Sequence, residues 1–374
     1  LKEWRRGQRI VLEANPGFRE ETYPDAPQSA DAIVRAAAAS MKGRRLPQVG
    51  RVEISIIEES SPQLLAFDSG ALDYANVPAD LVANVVEPGA RLKASYADRK
   101  VSLHRVVRPS LSYTYFNMDD PVVGGYAPDR VALRRAITMG FDVPSLVRVW
   151  LQDQAIVATQ PIPPNVLGHD PKLDVRAPYD PATARALLDR FGYRDRDGDG
   201  WRELPDGKPF TLSMGSTPTH RDRERDELWK RSMRDLGIRI DFVKQKFPDL
   251  LKMGRAGQLQ MWPVGWITTY GEGDAFMQLL YSGNIGQSNY ARFRNDEYDE
   301  LYRKSRRIPD GPERTALYAR MARIVAAYAP WELGVYTYEN TLVRPWVRGY
   351  VKHQSFEHPW KYLDVDAAAQ RAGK

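Results

Sequence analysis

The chain has 374 residues, 43% hydrophobic and 27% charged, with a net charge of +6; this is globular composition for about two or three folding units, not that of a disordered chain. It has no cysteine, which excludes a disulfide scaffold, a thiol nucleophile and thiolate metal sites and fits an oxidising compartment. Its basic stretches are laced with acids, as in Arg221-Asp222-Arg223-Glu224-Arg225-Asp226, which argues against a nucleic-acid face, and no apolar run approaches the roughly 20 residues that span a bilayer.

The chain opens at Leu1 and runs directly into Arg9-Ile10-Val11-Leu12-Glu13, a strand followed by the turn Asn15-Pro16, so an N-terminal part of a longer protein is expected to precede it. Arg51 to Ile57 alternates polar and apolar residues and predicts a half-buried strand. Ser61 and Pro62 read as the N-cap and first position of a helix that ends at Ser69-Gly70, and Leu72 to Ala75 resumes as strand. Pro78 and the apolar pattern from Leu81 to Val86 predict another short helix. Leu111 to Asn117 reads as an aromatic strand, and Arg130 to Trp150 as helix interrupted near Pro144.

Asp180 is placed to cap a helix with Pro181 at its first position, the apolar face Ala184, Leu187, Leu188 and Phe191, and Gly192 as its stop. Leu228 to Leu236 reads as a further helix before the strand Ile238 to Phe242. Residues 298–328 have strong helical periodicity, Gly334 to Tyr338 reads as strand, and the small polar end from Ala367 to Lys374 is expected to fray. Strands and helices alternate throughout, which predicts the α/β class.

Little in the sequence points to covalent chemistry. The five histidines, His104, His169, His220, His353 and His358, lack metal-ligand spacing, and no hydrolase, nucleotide or dinucleotide fingerprint occurs, so neither an enzyme nor a cofactor is expected. Asp195-Arg196-Asp197-Gly198-Asp199-Gly200 resembles the start of a calcium loop, with oxygen ligands at alternate positions. Asp206 replaces the glutamate such a loop needs at its end, and a tight Asp/Gly turn is the competing reading. The segment Trp262-Pro263-Val264-Gly265-Trp266-Ile267-Thr268-Thr269-Tyr270-Gly271, followed by Asp274, combines flat rings, hydroxyls and glycine. That mix suits a ligand cleft, where aromatic walls supply area and a few polar groups fix orientation; core packing competes with it for each ring.

Several stretches, in order, resemble the family 5 solute-binding proteins of bacterial ABC importers, the dipeptide- and oligopeptide-binding type. They are Trp4 to Gly7 with Asn15 to Phe18, Phe67 to Asp73, Tyr113 to Asn117, Leu133 to Asp142, Tyr179-Asp180 through Ala184 with Leu187-Leu188 and Gly192-Tyr193, Leu236-Gly237-Ile238, Tyr290 with Asn295, Glu297-Tyr298-Asp299 and Leu301, and Arg344-Pro345-Trp346-Val347. The resemblance implies a periplasmic-binding-protein-like, type II clamshell fold of two lobes, with the N-terminal part of lobe I and the accessory domain absent. Residues 1–112 and 340–374 would form partial lobe I and 113–339 lobe II, with crossings near Tyr113–Asn117 and Thr337–Thr341.

It further implies a receptor, periplasmic or lipid-anchored at the outer face of the cytoplasmic membrane, that delivers a peptide or another small polar solute to ABC permease subunits. A ligand-sensing module, or a binding protein for a non-peptide solute such as an oligosaccharide, is the alternative. In peptide-binding members a Gly-Trp segment ends in an aspartate that pairs with the peptide's α-amino group. Here that position is Thr269, whose hydroxyl cannot supply the charge-assisted bond, with Asp274 or Glu272 as possible substitutes. The expected ligand-binding residues are Gly265, Trp266, Thr268, Thr269, Tyr270, Asp274, Tyr113 and Asn117.

Overall fold

The computed structural model describes residues 1–28, 31–87, 89–353, 356 and 358–373. The chain divides into two units, one of residues 1–107 with 338–374 and one of residues 108–337. It passes from the first to the second at Arg108-Pro109, between two strands, rather than within Tyr113–Asn117, and returns inside the long strand Trp331–Val343.

The first unit holds an antiparallel sheet of Glu3–Arg5, Arg9–Glu13 and Arg51–Ser55, with Ile10 opposite both Trp4 and Ile54. A second ladder places Leu342 between Ala75 and Leu103. Phe67, Val82, Val85, Tyr96 and Leu342 form its core. Two family-like stretches far apart in sequence meet here. The Arg344 guanidinium bonds the Phe67 carbonyl and lies 4.4 Å over the Phe67 ring, and Trp346 Nε1 donates to Asp73 Oδ1 at 2.7 Å.

Local details differ from expectation in this unit. The helix expected from Ser61 runs Ser60–Asp68, with Glu59 at the N-cap and no side-chain capping bond. An alanine-rich helix, Ala32–Met41, is capped by Asp31, whose Oδ1 accepts from Val34 N at 2.9 Å. The C-terminal segment expected to fray is helical over Ala367–Gly373, with Lys374 outside the described residues. Asp366 caps it by accepting from Ala369 N at 3.0 Å.

The second unit is built on a mixed sheet. Thr211–Ser216 pairs in parallel with Arg239–Lys244, and the helix His220–Asp235 makes the crossover between them. This helix begins well before Leu228 because Thr219 caps it and its charged first turns face solvent; its buried side is Asp226, Leu228, Trp229, Ser232 and Met233. Trp229 stacks on Phe141 with centroids 3.8 Å apart, joining the crossover helix to the core.

Met261–Ile267 and Ser110–Phe116 are antiparallel neighbours, and Ser110–Phe116 pairs in turn with Trp331–Val343. The register slips between Leu333 and Val335, where a Cβ on Gly334 would stand 2.7 Å from the Ser112 carbonyl, so glycine is required at that bulge. The single helical stretch expected over 298–328 is two helices, Asp296–Ser305 and Pro312–Tyr328.

Arg134, on the helix Pro128–Gly140, is fully buried without a carboxylate partner. Its guanidinium donates instead to the carbonyls of Val123 (2.6 Å), Gly125 (3.0 Å), Tyr328 (2.7 Å) and Ala329 (3.2 Å). Four carbonyls from two segments, the loop at Val123–Gly125 and the C-terminal end of the helix Pro312–Tyr328, are thereby tied to one side chain. Asp180 caps Pro181–Arg190 as expected, its Oδ1 accepting from Thr183 N at 3.0 Å. Asn295 does the same for Asp296–Ser305 through Tyr298 N at 2.8 Å.

Candidate ligand-binding edge

The strand Met261–Ile267 is paired along its whole length on one side, from Met261 opposite Phe116 to Ile267 opposite Ser110. On its other side it meets Thr211–Ser216 only at Met261, opposite Met214. The bonds Asn117 N to Gln260 O (2.9 Å) and Thr268 N to Pro109 O (3.0 Å) fix the phase of the ladder. Alternate residues of an antiparallel strand send their main-chain groups to opposite edges. Trp262, Val264 and Trp266 therefore bond the Ser110–Phe116 strand, while Pro263, Gly265 and Ile267 face the unpaired edge.

Proline is tolerated at 263 because its missing N–H falls on that edge. Beyond it, Gly265 and Ile267 each present one N–H and one C=O. Both residues are exposed, Ile267 by 42%. A Cβ at Gly265 would have no neighbour closer than 3.8 Å, so packing within the unit does not demand glycine there. What the missing side chain leaves is room for another backbone to approach.

The expected site residues fall into two groups. Gly265, Thr269 and Tyr270 are exposed, Trp266 is half-buried, and they follow one another along the edge and the turn after it. Thr268 is buried and shapes that turn, its hydroxyl accepting from Tyr270 N at 3.3 Å. Leu167, 46% exposed, lies against the loop by accepting from Gly273 N and donating its own N–H to the Gly271 carbonyl, each at 2.9 Å. Burial, aided by the nearby Asp274 carboxylate, raises the Tyr270 phenol above its usual range.

Two expectations are corrected. Asn117 is buried and its amide is fully engaged: Nδ2 donates to the carbonyls of Gly257 (2.9 Å) and Leu259 (3.3 Å), and Oδ1 accepts from Asp119 N (3.1 Å). Tyr113 is also buried, packed at 4.2 Å on Trp331. Both carry structure rather than an accessible surface. Nor are the carboxylates beyond the turn free to replace an aspartate at 269: Glu272 pairs with Arg314 at 2.8 Å, and Asp274 has Arg306 at 3.7 Å. Sequence reading missed Ile267, whose main chain shares the open edge with Gly265. The signal was Pro263, which marks by parity the edge that 265 and 267 also face.

Among the described residues, the one group of side chains able to gather on a metal ion is Asp195, Asp197, Asp199 and Glu203, with oxygens all within 4.8 Å of one another. These oxygens are largely occupied by the loop itself. Asp195 accepts from the amides of Gly198 (2.7 Å) and Gly200 (2.9 Å), Glu203 accepts from Arg196 N (2.8 Å), and Asp199 is paired with Arg239. Asp206, which would close a calcium loop, pairs with Lys208 at 2.8 Å. The histidines are scattered: His169 Nδ1 is 2.8 Å from the Ile162 carbonyl, and His104 packs on Tyr350 at 4.7 Å.

Residues 1–288 match the family model described as "Bacterial extracellular solute-binding proteins, family 5 Middle". The chain belongs to this family.

Among curated family relatives, heme-binding protein A of Haemophilus influenzae is 28% identical over 314 residues, covering 83% of this chain and 52% of the relative. Di/tripeptide-binding protein 2 of Pseudomonas aeruginosa is 32% identical over 207 residues, covering 54% and 37%. Among solved structures, the oligopeptide-binding protein AppA of Bacillus subtilis in complex with a nonapeptide superimposes with a TM-score of 0.69 at 19% identity, covering 97% of this chain and 65% of that one. The matched part of the chain thus spans about half the length of the first of these curated relatives, 52%, and 37% of the second. The expected α/β periplasmic-binding-protein-like fold is the observed one, and the family is one of binding proteins rather than enzymes. Among the described residues, no helix is long and apolar enough to cross a membrane.

Proposed function

We propose that this protein is the periplasmic solute-capturing component of an ABC importer, and that it takes an extended, peptide-like solute along the Gly265–Ile267 edge. The two units stand for the two lobes of the family, residues 1–107 with 338–374 for lobe I and 108–337 for lobe II. One observation carries the reading: a strand in the middle of a sheet has an exposed, unpaired edge beyond Pro263, with a glycine and an aromatic-rich turn beside it. An extended chain laid there gains main-chain hydrogen bonds by strand addition, and pockets beside it read alternate side chains. Trp266 and Tyr270 supply flat apolar area, and Thr269 orients the cargo through its hydroxyl. The loaded protein would then dock on its permease, at the outer face of the cytoplasmic membrane.

Thr269 shapes the choice of cargo. With no carboxylate there, and with Glu272 and Asp274 already beside arginines, a free α-ammonium finds no unpaired anion on this edge. The cargo is therefore a peptide held by its backbone rather than by its amino terminus. Titration calorimetry with di- to pentapeptides, each free and N-acetylated, tests this. Binding that acetylation leaves within about threefold supports the reading, since a charge-assisted bond contributes about 1.5–3 kcal/mol, more than tenfold. Loss of binding on acetylation, or no peptide binding, refutes it. The variety of cargo among the relatives' names, haem and peptides, favours a second reading in which the same edge receives a non-peptide polar solute.

A further inference from the structure

The helix Phe247–Arg255 follows the strand Arg239–Lys244 and leads back into Met261–Ile267. Side chains alternate across a strand, so Trp262, Val264 and Trp266 share one face and Pro263, Gly265 and Ile267 the other. The helix lies on the first of these faces. A Cβ on Gly254 would stand 3.4 Å from the Trp262 ring and 3.3 Å from the Tyr115 hydroxyl, and one on Gly215 would stand 3.1 Å from both Leu250 and Trp262. Leu250 is fully buried in this contact, whereas Phe247, the first residue of the helix, is 54% exposed. Its ring reaches that of Trp262 at 5.7 Å between centroids, tilted by 51°.

The position of this ring follows from the topology. Thr211–Ser216 pairs with Met261–Ile267 only at Met261, and the chain enters the helix beside the end of Thr211–Ser216, where Gln245 N donates to the Ser216 carbonyl at 3.1 Å. Phe247 therefore stands where the neighbouring strand stops and the open edge begins. Beyond Trp262 on the same face, Val264 and Trp266 are each half-buried. An apolar recess continuous with the edge results. Val264 is its floor, Phe247, seated on Trp262, stands on one side, and Trp266 on the other.

We propose that this recess recognises one side chain of the cargo and selects a bulky apolar residue there, aromatic before aliphatic. The proposal rests on the reading of the Gly265–Ile267 edge as a place of strand addition. In an added strand, the residue opposite Val264 points to the face of Val264, with the two Cβ atoms about 4.5–5.5 Å apart. Its side chain then falls between the two rings and covers the exposed part of Phe247 as well as its own apolar surface. A glutamine or glutamate in the same place gives up water and finds no hydrogen-bond partner in Phe247, Val264 or Trp266. The cargo residues on either side point to the other face, past Gly265. Selection therefore acts at one position of the peptide and not on its overall hydrophobicity.

The test is calorimetry on the protein with N-acetylated tetra-alanine amide and its four single-phenylalanine variants. One variant is expected to bind at least about tenfold more tightly than tetra-alanine, as burial of an aromatic side chain predicts, with leucine at that position gaining less and glutamine nothing. Phe247→Ala should cut the gain to about threefold or less while keeping tetra-alanine binding within about threefold of the unaltered protein, which also reports an intact edge. Phe247→Leu should retain part of the gain. Tetra-alanine binding that phenylalanine improves at no position, or a gain that Phe247→Ala leaves whole, overturns the recess while the open edge stands. No binding of any of these peptides at millimolar concentration overturns capture of an extended peptide, and the recess with it.

Discussion

Proline substitutions at two neighbouring positions of the Met261–Ile267 strand should have opposite consequences, because the ladder sends their amides to opposite edges. Val264 lies opposite Tyr113 in the hydrogen-bonded phase, and Tyr113 is 3% exposed. In Val264→Pro the bond is lost and the Tyr113 carbonyl has no water to turn to. The lost bond contributes about 1 kcal/mol and the orphaned acceptor about 1–3 kcal/mol more, so the variant should lose about 3 kcal/mol. Ile267→Pro removes no ladder bond. Its side chain is 42% exposed, and the partial burial it forfeits amounts to about 1 kcal/mol. The residue before it, Trp266, is already extended, as a pre-proline residue prefers.

Urea unfolding followed by tryptophan fluorescence should therefore separate the two variants by about 2 kcal/mol, Ile267→Pro being the more stable. Solute binding should rank them in the other sense. Ile267→Pro removes a donor from the open edge and leaves an acceptor of the cargo unpaired, which costs about 1–3 kcal/mol, or roughly 5- to 150-fold in affinity. Equal destabilisation by both prolines, or unchanged affinity in Ile267→Pro, would refute the open-edge geometry.

Other consequences follow from named contacts. Arg134→Met should cost about 3 kcal/mol or more in urea unfolding, because four buried carbonyls lose their shared donor and a methionine of similar length supplies none. Burial lowers the His104 imidazole to about 4 from its usual 6.5. The unfolded chain then takes up a proton that the folded one refuses, so stability is full above the unfolded value and falls on acidification between the two. The loss from pH 7.5 to pH 5 should be about 2 kcal/mol, and His104→Phe should flatten it. Thr269→Asp should add a carboxylate at the end of the open edge and raise the affinity for free-amine peptides over their acetylated forms by about tenfold or more in calorimetry.

The family was legible in the sequence through residues that hold the fold, not through those proposed to hold cargo. Arg134 ties four carbonyls, Arg344 and Trp346 lock onto Phe67 and Asp73, and Asp180 and Asn295 cap helices. Such roles recur wherever the backbone recurs, so they leave short, ordered signatures. Local rules also gave the strands around residues 9–13, 51–55 and 110–116, where period-two alternation or aromatic content is strong.

Elements without apolar punctuation were harder to read. The helix Ala32–Met41 has few landmarks among its alanines, and the first turns of His220–Asp235 are charged because they lie on a solvated face. Within the site, composition pointed to Gly265, Trp266 and Tyr270. Asn117 and Tyr113 were misread because polarity and aromaticity in a strand do not say which side the chain buries. Whether Glu272 and Asp274 were free depended on Arg314 and Arg306, contributed by later helices, and no local pattern announces such tertiary partners.

Native mass spectrometry of the protein purified gently from a bacterial periplasm tests the central claim most directly. A discrete adduct that vanishes on denaturation, fragments as a peptide, and is lost in Ile267→Pro while Trp fluorescence reports an intact fold is the predicted result. An adduct retained in full by Ile267→Pro, or one that yields no peptide fragments, would contradict capture of an extended peptide on the Gly265–Ile267 edge.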